Sequence, residues 1–343
     1  MRYIGNKTRL RDFINRVLRA RGIVGGSACD PFCGTASVAR SLKRKGFRVI
    51  AGDVMQYAYV FGRAYVETVD RPASLPQLIR SLNALPPEHG FISEHFNPSG
   101  TAAAEHGRMY FTPENAGRID AIRGWLHGQH MSGQLTDDAF YLLLAALIEA
   151  ADRVANTTGV YAAFVKSWQS NARRPLELRL EPTVSGNSCH AYRRDALELV
   201  SVLPSFDLLY LDPPYNTRQY PGYYHIPELI ALGWFDETLP SLRGKTGLLP
   251  DDDKRSDWCS RGRAETALGN LLAAAHCRHI VLSYNTEGII PEATIVRLLK
   301  EHGRKETFRR YSHAYRRYRS DSDHAGRQYS GNAVKEYLYC VSR

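Results

Sequence analysis

The apolar residues near the N-terminus follow two different spacings. From Arg9 to Ala20 they recur every three to four positions, which predicts an amphipathic helix. The stretch GGSACDPFCGTASVARSLKRKGFRVIAGDV then predicts a strand, a glycine turn, a helix from about Ala36 to Gly46, and a second strand ending at Asp53. A strand–helix–strand unit of about 30 residues has the size of half a nucleotide-binding domain.

The regular alternation stops between residues 61 and 188. FTPENAGRIDAIRGWL, with Pro113 near its start, and DDAFYLLLAALIEAADRVA both predict helices. NTTGVYAAFVKSWQSNARRPLELRL mixes turn residues, aromatic rings and cations, which predicts a surface loop or hairpin. We interpret 61–188 as an insertion into an α/β sheet.

Sheet-like sequence resumes at CHAYRRDALELVSVLP and FDLLYLDPPY. A second irregular stretch is predicted over 216–262, followed by a helix over Ala264–Ala275 and a buried strand in HIVLSYN. The C-terminal segment from Thr307 predicts a hairpin with a long basic loop. The fold class expected from these elements is α/β, with residues 1–60 and 189–343 forming one discontinuous domain.

The charge balance narrows the function classes. Lys and Arg number 45 against 35 Asp and Glu, a formal net charge of +10 in 343 residues. This excess favours a polyanionic partner, with solubility alone as the alternative. The sequence contains neither an apolar run of bilayer length nor a signal-peptide core near the N-terminus, so we expect a cytoplasmic protein.

Cysteine spacing gives little support for a metal site. Cys29 and Cys33 flank the glycine turn, and no second closely spaced pair completes a zinc set among the six cysteines. We predict free thiols and no metal.

The glycine turn DPFCGTAS is the first candidate binding site. Gly34 permits close backbone approach, and the following helix offers free N–H groups. The turn matches neither GxGxxG nor the P-loop pattern. Asp53 ends the next strand about 20 residues later, where a carboxylate can accept hydrogen bonds from ribose hydroxyls. The alternatives are an ordinary turn and a loop-capping aspartate. Asp195, in YRRDAL, could accept from an adenine amino group, but is uninformative by itself.

The stretch DLLYLDPPY is more specific. Asp212 follows a buried strand, where ligands of open α/β sheets bind. Pro213 and Pro214 remove two backbone donors, so the turn offers acceptors: the Asp212 carboxylate and the Pro213 carbonyl. Two acceptors suit an amino group with two hydrogens, and Tyr215 adds a flat ring. This combination predicts a site for an extruded nucleobase amine, with a rigid turn around a core tyrosine as the alternative.

These motifs resemble those of the alpha-type DNA adenine-N6 methyltransferases. The family tetrapeptide Asp/Asn-Pro-Pro-Tyr/Phe is matched by Asp212–Tyr215. DPFCGTAS is similar to the family's cofactor turn D-x-F-x-G-x-G, with Ala36 in place of the last glycine, and RYIGNKTRL resembles its N-terminal motif. Softer likenesses, in RMYFTPENAGRIDAIR, RVANTTGVYAAFVKSW, SYNTEG and YRRYRSD, extend the resemblance over nearly the whole chain.

The resemblance implies a Rossmann-like class I methyltransferase sheet with a mainly helical inserted target-recognition domain at 61–188. It implies S-adenosylmethionine as cofactor, double-stranded DNA as substrate, and a restriction–modification setting in which a cognate restriction endonuclease is a candidate partner. The catalytic residues would be Asp212, Pro213, Pro214 and Tyr215. The cofactor-binding residues would be Tyr3, Gly5, Lys7, Asp30, Phe32, Gly34, Asp53 and Asp195, with Lys7 near the methionine carboxylate.

Basic residues beside aromatic ones are candidates for DNA contact, since cations bind phosphates and rings stack on bases. A solvated basic face is the alternative for each. The predicted DNA-binding residues are Lys166, Arg173, Arg174, Arg316, Arg317 and Arg319.

Two other functions remain open from sequence. The same tetrapeptide could methylate adenine in RNA or the exocyclic amine of cytosine. The chain could also be an inactive nucleic-acid-binding relative, although Asp212 and Asp53 are intact. His225, close after the tetrapeptide, is predicted to be structural, because no proton-transfer step clearly requires it.

Overall fold

The computed structural model describes residues 1–3, 5, 7–186, 188–236, 241–250, 255–316 and 333–343. The chain divides into two compact units. The sheet unit comprises Asn6–Val54, Gly186–Gln219 and Lys254–Arg343, and the helical unit comprises Met1–Gly5, Met55–Ser185 and Tyr220–Asp253.

Seven strands form one sheet in the described part of the sheet unit. They are β1 (Ser27–Asp30), β2 (Arg48–Asp53), β3 (His190–Arg193), β4 (Phe206–Leu211), β5 (Cys277–Asn285), β6 (Arg309–Arg316) and β7 (Ala333–Ser342). The order is β3-β2-β1-β4-β5-β7-β6. The first five strands are parallel, whereas β7 runs antiparallel to both of its neighbours.

The helices of both units are numbered together along the chain. They are α1 (Arg11–Ala20), α2 (Ser37–Arg44), α3 (Gln56–Gly62), α4 (Leu75–Asn83), α5 (Phe91–His95), α6 (Thr101–Ala104), α7 (Pro113–Met131), α8 (Asp137–Val154), α9 (Ala196–Val202), α10 (Tyr220–Tyr223), α11 (His225–Leu232), α12 (Ala264–Ala274) and α13 (Glu292–Glu301). No helix in the described residues is long and apolar enough to cross a bilayer.

The parallel strands are buried because helices cover the sheet. Leu209 of β4 and Ile280 of β5 are fully buried in a cluster with Leu271 of α12 and Leu299 of α13. Strands covered in this way read as continuous apolar runs, which is why FDLLYL and HIVLSYN were recognisable in the sequence. The strand order changes direction where β1 lies between β2 and β4, and ligands of open α/β sheets bind beyond the strand ends at such a point.

The helical unit is organised around α7 and α8. Thr112 caps α7 by accepting a hydrogen bond from Asn115 N–H at 3.3 Å, and Pro113 takes the first helical position. α8 is buried on nearly all sides, which suits its mostly apolar sequence. Residues 155–186 contain neither helix nor strand, as predicted for a surface loop.

Most predicted elements are confirmed, including the βαβ unit, the helices of the inserted stretch and the C-terminal hairpin. Two differ. The second half of CHAYRRDALELVSVLP is helix α9 rather than strand, because Asp195 caps its N-terminus. The stretch 216–262, predicted to be irregular, contains α10 and α11. Its part from Tyr220 to Asp253 groups with Met55–Ser185 in one unit.

Candidate active site

Four polar residues lie where four neighbouring parallel strands end. Asp30, Asp53 and Asn285 are the last residues of β1, β2 and β5, and Asp212 directly follows β4. The carboxyl ends of parallel strands meet at one edge of a sheet, so the fold brings these side chains to a single edge. Residues that are far apart in sequence therefore form one site.

The glycine turn is tied to the end of β2. Gly34 N–H donates to Asp53 Oδ2 at 3.0 Å, and Cys33 N–H donates to the Gly52 carbonyl at 2.9 Å. Ala36 has a φ of 56°, in the left-handed region that favours glycine. The left-handed backbone is consistent with a glycine as the last residue of the family's turn at this position, and α2 starts directly after it.

Asp30 presents an acceptor that the protein leaves open. The side chain is buried, and Oδ1 has no hydrogen-bond partner among the described residues. Burial, and then the nearby charge of Asp212, raises the pKa of this carboxyl well above its usual range. An orphaned acceptor at the strand ends suits a ligand that brings its own donor or positive charge. The site therefore fits a cationic nucleoside such as S-adenosylmethionine.

Phe32 lines the same turn and is only partly buried. Its ring meets Trp258 edge-on, with 4.9 Å between centroids and an interplanar angle of 77°. Trp258 lies in a short 3₁₀ helix, Asp257–Cys259, inside the stretch predicted to be irregular. Nothing in the sequence connects these two rings, which are far apart in the chain.

Asp212 shares a buried cation with a second carboxylate. Lys7 Nζ lies 3.1 Å from Asp212 Oδ1, an ion-pair contact without hydrogen-bond alignment, and donates to Glu336 Oε1 at 2.6 Å. Lys7 is 3% exposed and Glu336 1%, whereas Asp212 keeps 16% of its side-chain surface. Ser283 Oγ also donates to Glu336 Oε1 at 2.6 Å. Of the two carboxylates, Asp212 is the one with an exposed surface.

The charge states of this cluster follow from its surroundings. Burial raises the pKa of Asp212 to about 7; the Lys7 charge opposes this rise and the Glu336 charge adds to it. Burial also acts to lower the pKa of Lys7, but Asp212 and Glu336 outweigh it, and the pKa of Lys7 lies well above its usual range. Lys7 thus stays protonated while Asp212 titrates near neutral pH.

The rest of the tetrapeptide is held by the segment after β5. Tyr215 carbonyl accepts from Ile289 N–H at 3.1 Å, and the Tyr284 ring meets the Tyr215 ring edge-on, 6.2 Å between centroids. Tyr284 Oη in turn accepts from Ile290 N–H at 3.1 Å. Pro213 is buried and Tyr215 partly buried. The carbonyl and the ring of Tyr215 therefore both have contacts within the protein.

Other residues predicted to bind cofactor have different surroundings. Asp195 Oδ1 accepts from Leu197 N–H at 2.8 Å and Glu198 N–H at 3.4 Å, so this exposed carboxylate caps α9. Its contact with adenine stays a prediction. Lys7 was expected near the methionine carboxylate, but its ammonium group is engaged by protein carboxylates.

Two predicted cofactor residues belong to the helical unit. Tyr3 stacks on Tyr224 with 4.7 Å between ring centroids, and Tyr57 Oη donates to Tyr3 Oη at 3.2 Å. Gly5 has a φ of 79°, which only glycine adopts readily. Their cofactor roles also stay predictions.

Three of the predicted DNA-binding residues lie on the loop of the helical unit. Lys166, Arg173 and Arg174 are exposed, and Trp168 is partly buried. Arg316 ends β6, and its side chain lies outside the described part of the structure. Arg317 and Arg319 are also outside the described residues.

Two buried asparagines shape that loop. Asn156 donates from Nδ2 to the carbonyls of Met109 and Val165 at 3.0 and 2.8 Å, and its Oδ1 accepts from Gln169 N–H at 3.0 Å. Asn115 binds the loop in the same way at residues 172, 174 and 176. The exposed cations are therefore carried on a defined scaffold rather than a free strand.

His225 is buried and neutral. Its Nε2 lies 3.1 Å from the Thr246 carbonyl, and burial lowers the pKa of the ring to about 4. A neutral imidazole donating to a backbone carbonyl accords with the structural role expected for it.

A parallel sheet with a glycine turn after β1, an acid after β2 and Asp-Pro-Pro-Tyr after β4 defines a class of enzyme: the Rossmann-like, S-adenosylmethionine-dependent methyltransferases. The comparisons with known proteins identify the family. The model of the D12 class N6 adenine-specific DNA methyltransferases matches residues 3–296. The chain belongs to this family and is a DNA adenine methyltransferase that uses S-adenosylmethionine.

The relatives agree with this assignment. The type II methyltransferase M.NlaIII of Neisseria lactamica is 34% identical over all of this chain and 99% of its own length. M.FokI of Planomicrobium okeanokoites is also 34% identical, but this chain spans only 53% of it. A solved magnesium protoporphyrin IX methyltransferase from Synechocystis covers 99% of this chain and 81% of its own, with 11% identity and a TM-score of 0.34. That likeness is too low to add to the assignment.

Proposed function

We propose that the chain methylates the 6-amino group of an adenine extruded from duplex DNA at a specific sequence, with Asp212 and the Pro213 carbonyl holding the amine. The observation that carries this proposal is the position of Asp212: it follows β4 beside Asp30 at the strand ends, with Oδ1 buried and part of its surface open. That position is where the fold class binds ligands.

The amine needs activation because its lone pair is delocalised into the adenine ring. The Asp212 carboxylate and the Pro213 carbonyl accept hydrogen bonds from the two N–H groups of the amine. These hydrogen bonds turn the lone pair out of the ring plane. Both acceptors also stabilise the positive charge that develops on nitrogen during attack. Tyr215 supplies the face on which the extruded base stacks, and its fixed ring supports this role.

S-adenosylmethionine, when bound, supplies a methyl group on a positively charged sulfur. Asp53 accepts from its ribose hydroxyls, while the open Asp30 oxygen and the Phe32 ring line the same edge of the sheet. The Asp53 carboxylate is already oriented by Gly34 N–H, which supports this assignment. Holding the reactants in line accounts for much of the remaining acceleration.

The inserted region, 61–188, serves as the target-recognition domain in this proposal. The loop framed by Asn115 and Asn156 supports that role, because it exposes Lys166, Arg173 and Arg174 together. Cations of this kind contact phosphates and set the position of the protein on the duplex. The segment 220–253 joins the same unit and is proposed to act with it.

The type II relatives favour a restriction–modification role in the cytoplasm of a bacterial or phage-infected cell. A cognate restriction endonuclease is then the proposed partner. Digestion resistance supplies a check: DNA from cells expressing the chain should resist a nuclease that cuts the same site.

Asp212→Ala tests the mechanism. The variant should lose methylation of plasmid DNA by labelled S-adenosylmethionine and still bind duplex DNA in a gel-shift assay. Asp207→Ala is a matched control, because Asp207 lies on the same strand but binds Ser27 and Arg278 instead. An unchanged methylation rate in Asp212→Ala would overturn the mechanism.

Mapping the product tests the substrate. Genomic DNA and total RNA are incubated with labelled cofactor, and the modified nucleosides are separated. Label is expected in N6-methyladenine of DNA within one short sequence. Label confined to cytosine or to RNA would refute the proposed substrate.

A further inference from the structure

We propose that Glu336 is a positioning residue for methyl transfer: it holds Lys7 between two carboxylates and so sets the charge that Asp212 offers to the amine. The inference rests on the proposed function, because it assumes that Asp212 holds the amine. Glu336 itself touches neither substrate nor cofactor in this proposal and acts through Lys7.

The contacts of Glu336 are unusual for a structural carboxylate. It lies on β7 opposite Asn285, the last residue of β5. Oε1 accepts both from Lys7 Nζ and from Ser283 Oγ at 2.6 Å, whereas Oε2 is buried without a hydrogen-bond partner among the described residues. Glu336 is therefore aimed at the Lys7 ammonium group, and part of its own hydrogen-bonding capacity is left unused.

The cluster carries more negative than positive charge. One lysine faces two carboxylates at 3.1 and 2.6 Å, so the three groups sum to −1 when all are ionised. A buried pair is costly to desolvate, and an extra uncompensated carboxylate adds to that cost. On the same face of the strand, Leu338 and Cys340 are buried two and four positions after Glu336. An apolar side chain would be the simpler choice for stability.

The consequence falls on Asp212. With Glu336 present, Lys7 interacts with two carboxylates, and the negative charge of Glu336 keeps the pKa of Asp212 high. Without Glu336, Lys7 pairs with Asp212 alone and weakens it as an acceptor for the amine. A carboxylate whose pKa lies near the working pH is a stronger hydrogen-bond acceptor than a carboxylate whose charge is fully compensated by a paired lysine.

Other titratable groups near Asp212 do not substitute for Glu336. Tyr210 on β4 and Asp30 on β1 both interact electrostatically with Asp212, and Tyr215 interacts with Lys7. Burial, with the Asp212 charge second, holds the pKa of Tyr210 well above its usual range, so this phenol stays neutral. Asp30 repels Asp212 but has no contact with Lys7 among those described. Glu336 is therefore the residue that we propose positions the Lys7 ammonium group.

The test is the pH profile of Glu336→Gln, which keeps the shape and removes the charge. Methylation of plasmid DNA is measured from pH 5.5 to 9, with separate kcat and KM values. The acid limb of kcat/KM, expected near pH 7 for the unmodified protein, should move down by about one unit, because a repelling charge is lost. The kcat at pH 8 should fall about tenfold with KM values unchanged.

Asp120→Asn is the matched control for losing a buried carboxylate. Asp120 is 5% exposed and binds Ile92 and Ser93 in the helical unit. Its acid limb should equal that of the unmodified protein even if its melting temperature falls. A folded Glu336→Gln protein with an unmoved acid limb would overturn the proposal, since a purely structural glutamate affects stability only.

Glu336→Asp provides a second route should the glutamine variant not fold. It keeps the charge but shortens the side chain by one methylene, so Lys7 is drawn away from Asp212. The expected result is an acid limb moved to higher pH, because the Lys7 charge then lowers the pKa of Asp212 less, and an acid limb like that of the unmodified protein would refute the proposal. Asp212→Ala separates the two claims: if it stays active, the proposed function fails, whereas inactivity beside an unaffected Glu336 variant sinks only this inference.

Discussion

The two units use buried polar groups in opposite ways. In the helical unit, Asp120 accepts Ile92 N–H, Ser93 N–H and the Ser93 hydroxyl, all within 3.0 Å, and Asn156 uses both ends of its amide. In the sheet unit, by contrast, Asp30, Asp212 and Glu336 each leave an oxygen without a hydrogen-bond partner among the described residues.

The difference separates groups that stabilise a fold from groups that await a ligand. The unpaired atoms described in the helical unit are guanidinium nitrogens of Arg118 and Arg123, whose other nitrogens bind backbone carbonyls. The unpaired atoms of Asp30, Asp212 and Glu336 are instead carboxyl oxygens, and burying such an oxygen without a hydrogen bond is unfavourable. The carboxyl groups of Asp30 and Asp212 at the ends of β1 and β4, and of Glu336 on β7 beside the end of β5, are therefore available to a ligand or to the shared Lys7 cation.

The largest expected effect is on the methylation rate, and one substitution in each unit shows the contrast. Asp212→Asn should reduce methylation about a thousandfold, because the amide cannot stabilise the charge on the amine as the carboxylate does. Asp120→Asn should methylate normally but melt at a lower temperature, because its new NH₂ group faces N–H donors. Methylation assays and thermal denaturation of both variants check the contrast.

Asp212→Asn and Asp120→Asn should also differ in thermal stability. The pKa of Asp212 is raised to about 7 in the folded protein, so between about pH 4 and 7 the folded state binds more protons than the unfolded state. Stability from this group is therefore lost as pH rises through that window. Asp212→Asn should melt no lower than the unmodified protein at pH 8. A clear drop there would mean that the carboxylate stabilises the fold.

Asn156→Ala should have the next largest effect, and in the helical unit it should act on stability. Three side-chain hydrogen bonds are lost, two to the loop at Val165 and Gln169 and one to Met109, which is expected to lower the free energy of unfolding by about 2–4 kcal/mol. The rate at saturating DNA should change little, because the sheet unit is untouched. Urea denaturation and kcat measure the two effects; a large fall in kcat without destabilisation would contradict the division of roles.

Asp53→Ala should reverse that pattern. Loss of one carboxylate that accepts from the cofactor ribose should raise the KM for S-adenosylmethionine by about tenfold or more. The hydrogen bond from Gly34 N–H is lost as well, so the melting temperature is measured alongside. Steady-state kinetics measure this KM, and isothermal titration measures the Kd of the cofactor. Asp207→Ala is the control for the loss of a carboxylate, because Asp207 on β4 binds Ser27 and Arg278.

The smallest effect is expected from exposed cations. Replacing Lys166, Arg173 and Arg174 by Ala one at a time should weaken DNA binding a few-fold each and make log Kd less steep against log salt by about one unit per phosphate contact. The melting temperature and kcat at low salt should not move. An unchanged salt slope for all three would place the DNA contacts elsewhere on the chain.

The sequence predicted what depends on local patterns. Asp53 ends an apolar strand, Asp212 directly follows one and Gly34 lies in the turn after another, so period and turn residues suffice to find them. Asp195 shows the limit of such reasoning, because a strand-end acid and a helix cap look alike in sequence. The predicted sheet and helical insertion follow from the same patterns.

Glu336 was missed because its partners are distant in the chain. Lys7 and Glu336 are 329 residues apart, and only the antiparallel insertion of β7 beside β5 brings them together. A signal existed nonetheless: VKEYLYCV is an apolar strand, and Glu336 takes the same alternate positions as the buried Leu338 and Cys340. A charge on a buried strand face calls for a partner.

The strand order also has a consequence for how the enzyme is made. On the sheet, Ala28 of β1 pairs with Leu208 of β4, 180 residues later. During translation the β4 side of β1 therefore stays unpaired until the intervening residues have been synthesised, which at about 5–20 residues per second takes roughly ten seconds or longer. Lys7 cannot pair with Glu336 until later still, because the two residues are 329 positions apart. A nascent chain thus carries the Asp-Pro-Pro-Tyr motif well before the charge cluster beneath it is complete.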